Sequence, residues 1–288
     1  MDSTNHAFFA PCPRGLETVL ADELTDLGAA DVKPTAGGVA FHGPLALCYR
    51  VNLQSRIASR ILLRIAEGSY RDEHDVYDAA NAIRWQDWFT PQQHIKVKVS
   101  AHHCPLKSLD FVTLRVKDAV CDRFQFARGK RPTVDTHAPD ILIAVYLDAS
   151  TCTFSVDTSG EPLCKRAGRK SAGEAPITEN LAAGILRLSK WTADTVLYDP
   201  MCGSGTFVIE AALMARRVAP GIGRHFAFEK LLSFDAQRLN DLRTELKAME
   251  IPIKPGLIHA ADDNAHAMTS IKANLTIAGS GDAVTLQQ

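Results

Sequence analysis

The chain has 288 residues, a hydrophobic fraction of 46% and a formal net charge of −1. That length suits about two domains with a sizeable core, and the balanced charge excludes a globally basic polyanion binder, so any such contact is local. Seven scattered cysteines with no Cys-x-x-Cys pair argue against a disulfide framework or a zinc site. No apolar run reaches about 18 residues and no targeting segment opens the chain, so a soluble cytoplasmic protein with no membrane partner is expected.

His6 to Ala10 reads as a strand, broken by Pro11-Cys12-Pro13. Leu16, Val19, Leu20, Leu24 and Leu27 then recur at helical spacing, with Gly28 as a stop. Asp31 to Thr35 and Val39 to His42 read as two strands around Gly37-Gly38. Pro44 to Asn52 reads as a helix, and Ile57 to Ala66 as a strand ended by Glu67-Gly68. The order β-α-β-β-α-β is the split βαβ, ferredoxin-like plan, assigned to residues 1–68.

Asp75 to Ile83 reads as a helix closed by Trp85 and Trp88. His94 to Ala101 alternates apolar residues with Lys96 and Lys98, a half-buried strand with a basic outer face. Val112, Val116, Val120 and Phe124 form the core stripe of a helix over 108–127. Ile141 to Leu147 and Cys152 to Asp157 form a hairpin around Asp148-Ala149-Ser150. This second unit, 69–160, resembles a THUMP domain, the RNA-binding module of several RNA-modifying enzymes. The residues that carry the likeness are Val116 to Val120, Gly129-Lys130-Arg131-Pro132 and the hairpin leading to Asp157-Thr158-Ser159-Gly160.

Clustered cations accompany that resemblance. Six Lys and Arg residues lie between Arg115 and Arg131, and four between Leu163 and Lys170. Clustered Lys and Arg supply phosphate contacts, whereas their ordinary meaning is a solvated face. With the THUMP likeness, Lys117, Arg128, Lys130, Arg131, Lys165, Arg166, Arg169 and Lys170 are the RNA-contact candidates.

Residues 161–176 are polar and Gly-rich and read as an interdomain linker; a partial Rossmann-like α/β domain is assigned to 177–288. There Thr178 is placed to cap a helix whose core face is Leu181, Ile185 and Leu188. A short buried strand, Thr195 to Tyr198, runs into Asp199-Pro200-Met201-Cys202-Gly203-Ser204-Gly205-Thr206 and then a helix from Phe207 to Arg217. Gly203 and Gly205 let a ligand approach the backbone, and the N–H groups of a helix start favour a polar or anionic group. A Gly-x-Gly turn alone is also compatible with a tight turn that binds nothing. No Gly-Lys-Ser/Thr follows, as a triphosphate loop requires, and Val208 stands where a dinucleotide fingerprint needs its third Gly.

The longer string resembles the cofactor motif of class I S-adenosylmethionine methyltransferases, in the form used by amino-group methylases of nucleic acids. The resemblance implies that Asp199, Met201, Cys202, Gly203, Gly205 and Thr206 surround that cofactor. It also implies that Pro176, Ile177 and Thr178, at the start of the Ala-Pro-Ile-Thr-Glu-Asn-Leu-Ala-Ala segment, reach its methionine end. Cys202 is a small loop residue there, not a nucleophile. Phe226 to Met249, a Phe-rich segment and helix, separates the first strand of this unit from the next, Leu257 to Ala261. Asp262 at that strand's end is the first choice for the ribose hydroxyls, with Asp263 the alternative and a helix N-terminal charge the plain reading.

Taken together with Phe9 to Glu17 and Gly160 to Arg169, these strings resemble bacterial rRNA guanine-N2 methyltransferases of the 23S type that carry an N-terminal THUMP domain. The implied reaction is attack of a guanine amine on the methyl group of S-adenosylmethionine. Methylases of this kind place an Asn/Asp-Pro-Pro-aromatic turn beside the target base. No two prolines are adjacent in this sequence, so no catalytic residue is assigned. The expectation is a portion of a longer enzyme, inactive alone. A THUMP methylase acting on tRNA, an RNA-binding module with a vestigial methylase half and a DNA adenine methylase are the competing functions.

Overall fold

A computed structural model describes residues 5–166 and 177–287. Four strands open the chain: β1 (His6–Pro11), β2 (Ala30–Thr35), β3 (Gly38–Gly43) and β4 (Leu62–Ser69). Helices α1 (Glu17–Asp26) and α2 (Leu45–Gln54) connect them, and the spatial order β2-β3-β1-β4 is that of a ferredoxin-like sheet. Inside the quartet, Phe8 and Phe41 stack at 5.2 Å between ring centroids on paired strands.

Next come α3 (Glu73–Ala82), β5 (Ile95–Ala101), α4 (Leu109–Arg128), β6 (Ile141–Leu147) and β7 (Thr151–Asp157). Ser108 caps α4 by accepting from the Phe111 N–H, and Gly129 closes it at φ +66°, a conformation that Gly takes without a side-chain penalty. Strand β7 pairs antiparallel with β4 as well as with β6. The two units therefore share one seven-stranded sheet, β2-β3-β1-β4-β7-β6-β5.

Two differences from the sequence reading have physical causes. The strand expected from Ile57 begins only at Leu62. Ile57, Ala58 and Ile61 are apolar and buried, but the backbone of this segment is held by side chains. Glu23 accepts from Arg56 N–H and Ile57 N–H, and Ser159 Oγ accepts from Ile61 N–H. Likewise the expected linker is packed as far as Arg166. Thr158 and Ser159 are buried on Asn52, Arg60 pairs with the buried Asp157, and Leu163 N–H donates to Ser59 O.

Helix α5 (Glu179–Leu188) begins the last unit, followed by β8 (Leu197–Asp199), α6 (Thr206–Ala215), α7 (Ala236–Ala248), β9 (Ile258–Ala261), α8 (Ala265–Ile277) and β10 (Val284–Gln287). The strands form a parallel sheet in the order β10-β9-β8. Between α6 and β9, the segment from Phe226 to Leu246 packs on the core of the first two units instead of on this sheet. Phe228 stacks on Tyr49 at 4.4 Å, Leu232 N–H donates to Trp88 O, and Leu239, Leu242 and Leu246 of α7 join the core of the first two units. It is a clasp, closing the parallel sheet's own chain onto the seven-stranded one. Among the described residues no helix is long and apolar enough to cross a membrane.

Candidate functional site

Parallel order brings the carboxyl ends of β8 and β9 side by side, and open α/β sheets bind ligands outside such ends. From β8 the chain passes through Asp199 into the Gly-rich loop and α6; from β9 it passes into Asp262 and α8. The two turns are tied together. Gly203 N–H donates to Asp262 Oδ2 at 2.8 Å, and Cys202 N–H donates to Ala261 O at 2.9 Å. Asp262 Oδ1 accepts from Asn264 N–H at 2.9 Å. Each carboxylate oxygen keeps a further lone pair, so Asp262 can still accept from a diol.

The two loop glycines serve different purposes. Gly205 is the residue before α6, at φ +86°, and a Cβ there would meet Ile271 Cγ1 at 2.5 Å. Its place is fixed by packing against α8. At Gly203, with φ +52°, an added Cβ meets nothing within 4 Å. That open side of the backbone is a cradle that any side chain would fill. From beneath, Asn274 Nδ2 donates to Ser204 O at 3.0 Å, a support with no sequence signal because α8 reads as an ordinary amphipathic helix.

Burial raises the Asp199 carboxyl above its usual range, and the nearby Asp262 charge adds to the rise, while the hydrogen bond from Met201 N–H opposes it. Burial, with Asp199 and Asp262 beside it, pushes the Cys202 thiol up to about 11. A thiol so protonated is no nucleophile. Among the described residues no His, Cys, Asp and Glu cluster forms a metal site. An open glycine cradle, a carboxylate with spare lone pairs and the start of α6 suit a neutral sugar and a polar chain, so these residues fit an S-adenosylmethionine-type cofactor.

The structure gathers Asp199, Cys202, Gly203, Gly205, Thr206 and Asp262. Met201 stands at the rim, 84% exposed, and Asp263 is exposed one residue beyond Asp262. Ile177 and Thr178 precede α5, which packs on α6. Contrary to expectation, Thr178 holds the N-cap position without a side-chain capping bond, and α5 turns Ala182, Ala183 and Leu186 to the core while Ile185 and Leu188 stay exposed. Pro176, Arg169 and Lys170 lie outside the described residues.

Of the basic candidates, Arg128, Lys130 and Arg131 are exposed at the end of α4, and Lys165 is exposed beside Glu161. Lys117 pairs with Asp118 at 2.8 Å. Arg166 must be removed from the RNA-facing set. Its guanidinium is 9% exposed, with Nε at 3.1 Å from Glu210 of α6, and it also donates to Arg56 O. Arg56 meets the other Glu210 oxygen at 3.4 Å and reaches the carbonyls of Leu213 and Val218 at the end of α6. Burial lowers the Arg56 pKa, opposed by Glu210. Nearby, Arg187 of α5 meets the buried Glu23 at 3.1 Å. Sequence reasoning missed Arg56, Glu210 and Glu23, since nothing local marks an ion pair across 154 residues.

Family models described as "RlmL ferredoxin-like domain", "THUMP domain" and "RMKL-like, methyltransferase domain" match residues 7–62, 70–157 and 166–288. The ribosomal RNA large subunit methyltransferase K/L of Aeromonas salmonicida is 39% identical over 274 residues, 90% of this chain and 38% of that protein. A putative RNA methyltransferase of Synechocystis is 36% identical over 273 residues, 94% of this chain and 71% of the relative. The solved structure of a putative methyltransferase complexed with SAH superposes with a TM-score of 0.90 at 28% identity, over 100% of this chain and 76% of that one. That of a predicted N6-adenine-specific DNA methylase from Listeria monocytogenes gives 0.88 at 30% identity, over 99% and 75%. The chain spans 31–40% of the length of the K/L relatives it matches.

Proposed function

Because this chain belongs to the methyltransferase family that joins a ferredoxin-like and a THUMP domain to an RMKL-like methyltransferase domain, we propose that it serves S-adenosylmethionine-dependent methylation of a guanine N2 amine in 23S rRNA. The observation that carries the reading is the open Gly203 backbone facing Asp262 across the ends of two adjacent parallel strands. In this reading residues 1–68 and 69–160 are the ferredoxin-like and THUMP units, 161–176 lead from them to the last unit, and that unit, 177–288, binds the cofactor in the cytoplasm.

Bound S-adenosylmethionine supplies an electrophilic methyl group. The chain's part is to hold and orient. Asp262, with Asp263 beside it, accepts from the ribose hydroxyls. The loop from Asp199 through Met201, Cys202, Gly203 and Gly205 to Thr206 wraps the cofactor, and Pro176, Ile177 and Thr178 flank its methionine end. Lys117, Arg128, Lys130, Arg131, Lys165, Arg169 and Lys170 hold RNA phosphates, positioning the substrate without reading its sequence. These 288 residues contain no Pro-Pro-aromatic turn. We therefore expect them to bind RNA, to bind cofactor weakly at most, and to transfer no methyl group.

Calorimetry with S-adenosylmethionine tests the cofactor site. Gly203→Val should abolish binding, and Asp262→Asn, which keeps one acceptor for the loop backbone, should weaken it about tenfold through loss of a charge-assisted bond. Unchanged affinity in both would end the assignment. Radiolabelled methyl transfer to unmodified 23S rRNA and to tRNA, using the chain beside a full-length relative, tests the substrate and the inactivity. Turnover by the 288 residues would send the search for a catalytic group back into them.

A further inference from the structure

Lys96 and Lys98 line the outer side of β5 and serve none of the contacts assigned above. Strand register shows what they belong to. Lys98 stands opposite Ala144 of β6, Ala144 opposite Ser155 of β7, and Ser155 opposite Arg64 of β4. Arg64 stands opposite Ala7 of β1, and Ala7 opposite His42 of β3. Directly paired residues point to the same face, so this row crosses the sheet. A neighbouring row on that face joins Leu62, Phe9, Ala40 and Lys33 of β2. The alternate residues, such as Phe8, Phe41, Leu63 and Phe154, fill the core, where α4 packs with Val116 and Val120. Ala7, Phe9, Ala40, Leu62 and Ala144 on the other face are half-buried, and none of them joins the core. This side of the seven-stranded sheet is open.

Its cations are evenly spread. Lys98 and Lys33 are exposed on the two edge strands, and Arg64 stands three strands from each. At about 4.8 Å between strands, neighbouring cations lie about 14 Å apart. The Arg64 guanidinium is held 5.1 Å over the Phe9 ring. That ring lies down on β3, since a Cβ at Gly38 would meet Phe9 Cζ at 2.5 Å. Among the described residues none of the three cations has a carboxylate partner. The acids of this face oppose them little. Asp157 is buried against Arg60, Asp31 meets His42 at 3.6 Å, and Glu67 lies toward the far end of β4. In a chain of net charge −1, the excess here is local.

The occupant follows from charge and shape. A second copy seated face to face would bring like charges together, which costs binding energy. An unpaired strand needs free aromatic faces to stack its bases, but Phe9 is laid down and covered, and Tyr146 stands near the rim. A double helix lying on a flat face presents each of its two backbones once per turn of about 34 Å. Phosphates then meet the face about every 17 Å, within reach of flexible side chains rooted about 14 Å apart. We propose that the open face of the seven-stranded sheet, on the side away from α4, docks helical RNA, with Lys98, Arg64 and Lys33 on successive phosphate backbones. This rests on the RNA-binding reading above and adds to it a second surface and the kind of RNA that it takes.

The test uses the whole chain with a blunt RNA duplex of about two helical turns and an unstructured RNA strand of the same length. Fluorescence anisotropy should show that Lys33→Ala with Lys98→Ala weakens duplex binding about tenfold and lowers the salt slope by about two. Lys33→Arg with Lys98→Arg should keep wild-type affinity, and Arg64→Met, which retains a stem over Phe9, should weaken the duplex as well. Binding of the unstructured strand should not change in any of these variants. If the Lys33→Ala, Lys98→Ala variant binds the duplex like wild type, the docking surface is overturned. A loss in Lys130→Ala with Arg131→Ala on either RNA would then leave the RNA reading standing. If the chain binds neither RNA, both fall. An equal loss on duplex and single strand overturns the helical assignment. So does a dimer in sedimentation that the Lys33→Ala, Lys98→Ala variant dissolves, by making this face a contact between copies.

Discussion

Two arginine-bearing stretches look alike in the sequence and end in opposite environments. Arg128 and Arg131 follow α4 into solvent, whereas Arg166 turns inward to share Glu210 with Arg56. A guanidinium goes wherever its acceptors are, and Arg166 is surrounded by Glu210 Oε1, Leu163 O and Arg56 O. The buried cluster links the first unit, the segment after β7 and the last unit, because Arg56 comes from the ferredoxin-like unit, Arg166 from the segment after β7, and Glu210 sits one turn into the helix that the Gly-rich loop opens. One stretch is therefore part of how the molecule is assembled, and the other is open to a partner.

Removing Glu210 should have the largest effect. Glu210→Ala leaves two guanidiniums buried without a carboxylate, and breaking a buried pair from one side costs about 3–5 kcal/mol. Urea unfolding should show that loss; a change under about 1 kcal/mol would mean that water reaches the cluster and the contrast with the surface is false. Arg166→Ala should cost less, about 2 kcal/mol, since Arg56 still compensates Glu210 and what is lost are hydrogen bonds to a charged group. Its RNA affinity, measured on protein that remains folded, should match wild type.

The exposed stretch should behave in the reverse way. Lys130→Ala with Arg131→Ala should alter stability by about 0.5 kcal/mol or less, as surface changes do. Affinity for unrelated RNA sequences should fall about tenfold, with the salt slope reduced by about one to two. Equal RNA loss in Arg166→Ala and in this pair would show that both stretches face the partner.

What the sequence disclosed follows from the range of the forces involved. Val112, Val116, Val120 and Phe124 marked α4 because helical periodicity is local, and Gly203-Ser204-Gly205 marked the loop because chain geometry there demands glycine. The strand ending at Asp262 was legible as an apolar run before a carboxylate. Pairing of β4 with β7 was not, as it joins residues some ninety positions apart and merges two units that each looked self-contained. The clasp from Phe226 to Leu246 read correctly as aromatic and helical, but its choice of Tyr49 and Trp88 over the parallel sheet left no local trace. Gly203 and Gly205 were equivalent as letters; only Ile271 beneath one of them separates a packing glycine from an open one.

Between the buried cluster and the open surface lies the crevice, and Asp199 measures that middle ground with the smallest expected effect. Its carboxyl is raised first by burial and then by the charge of Asp262. A raised folded pKa favours the native state below the unfolded value, near 3.9, and that contribution disappears as the pH climbs through the folded value. Above that window the ionised group burdens the fold. Asp199→Asn removes the charge and retains an oxygen to accept from Met201 N–H. The variant should therefore melt with wild type near pH 3.5 and slightly above it at pH 7. Because the group is partly exposed, solvent screens it, and the gain should be about 0.5 kcal/mol or less. Scanning calorimetry at the two pH values decides the matter. A gain at pH 7 that persists undiminished at pH 3.5 would show packing, not charge, to be the cause, and would place the crevice with the surface stretch as a site where solvent governs the electrostatics.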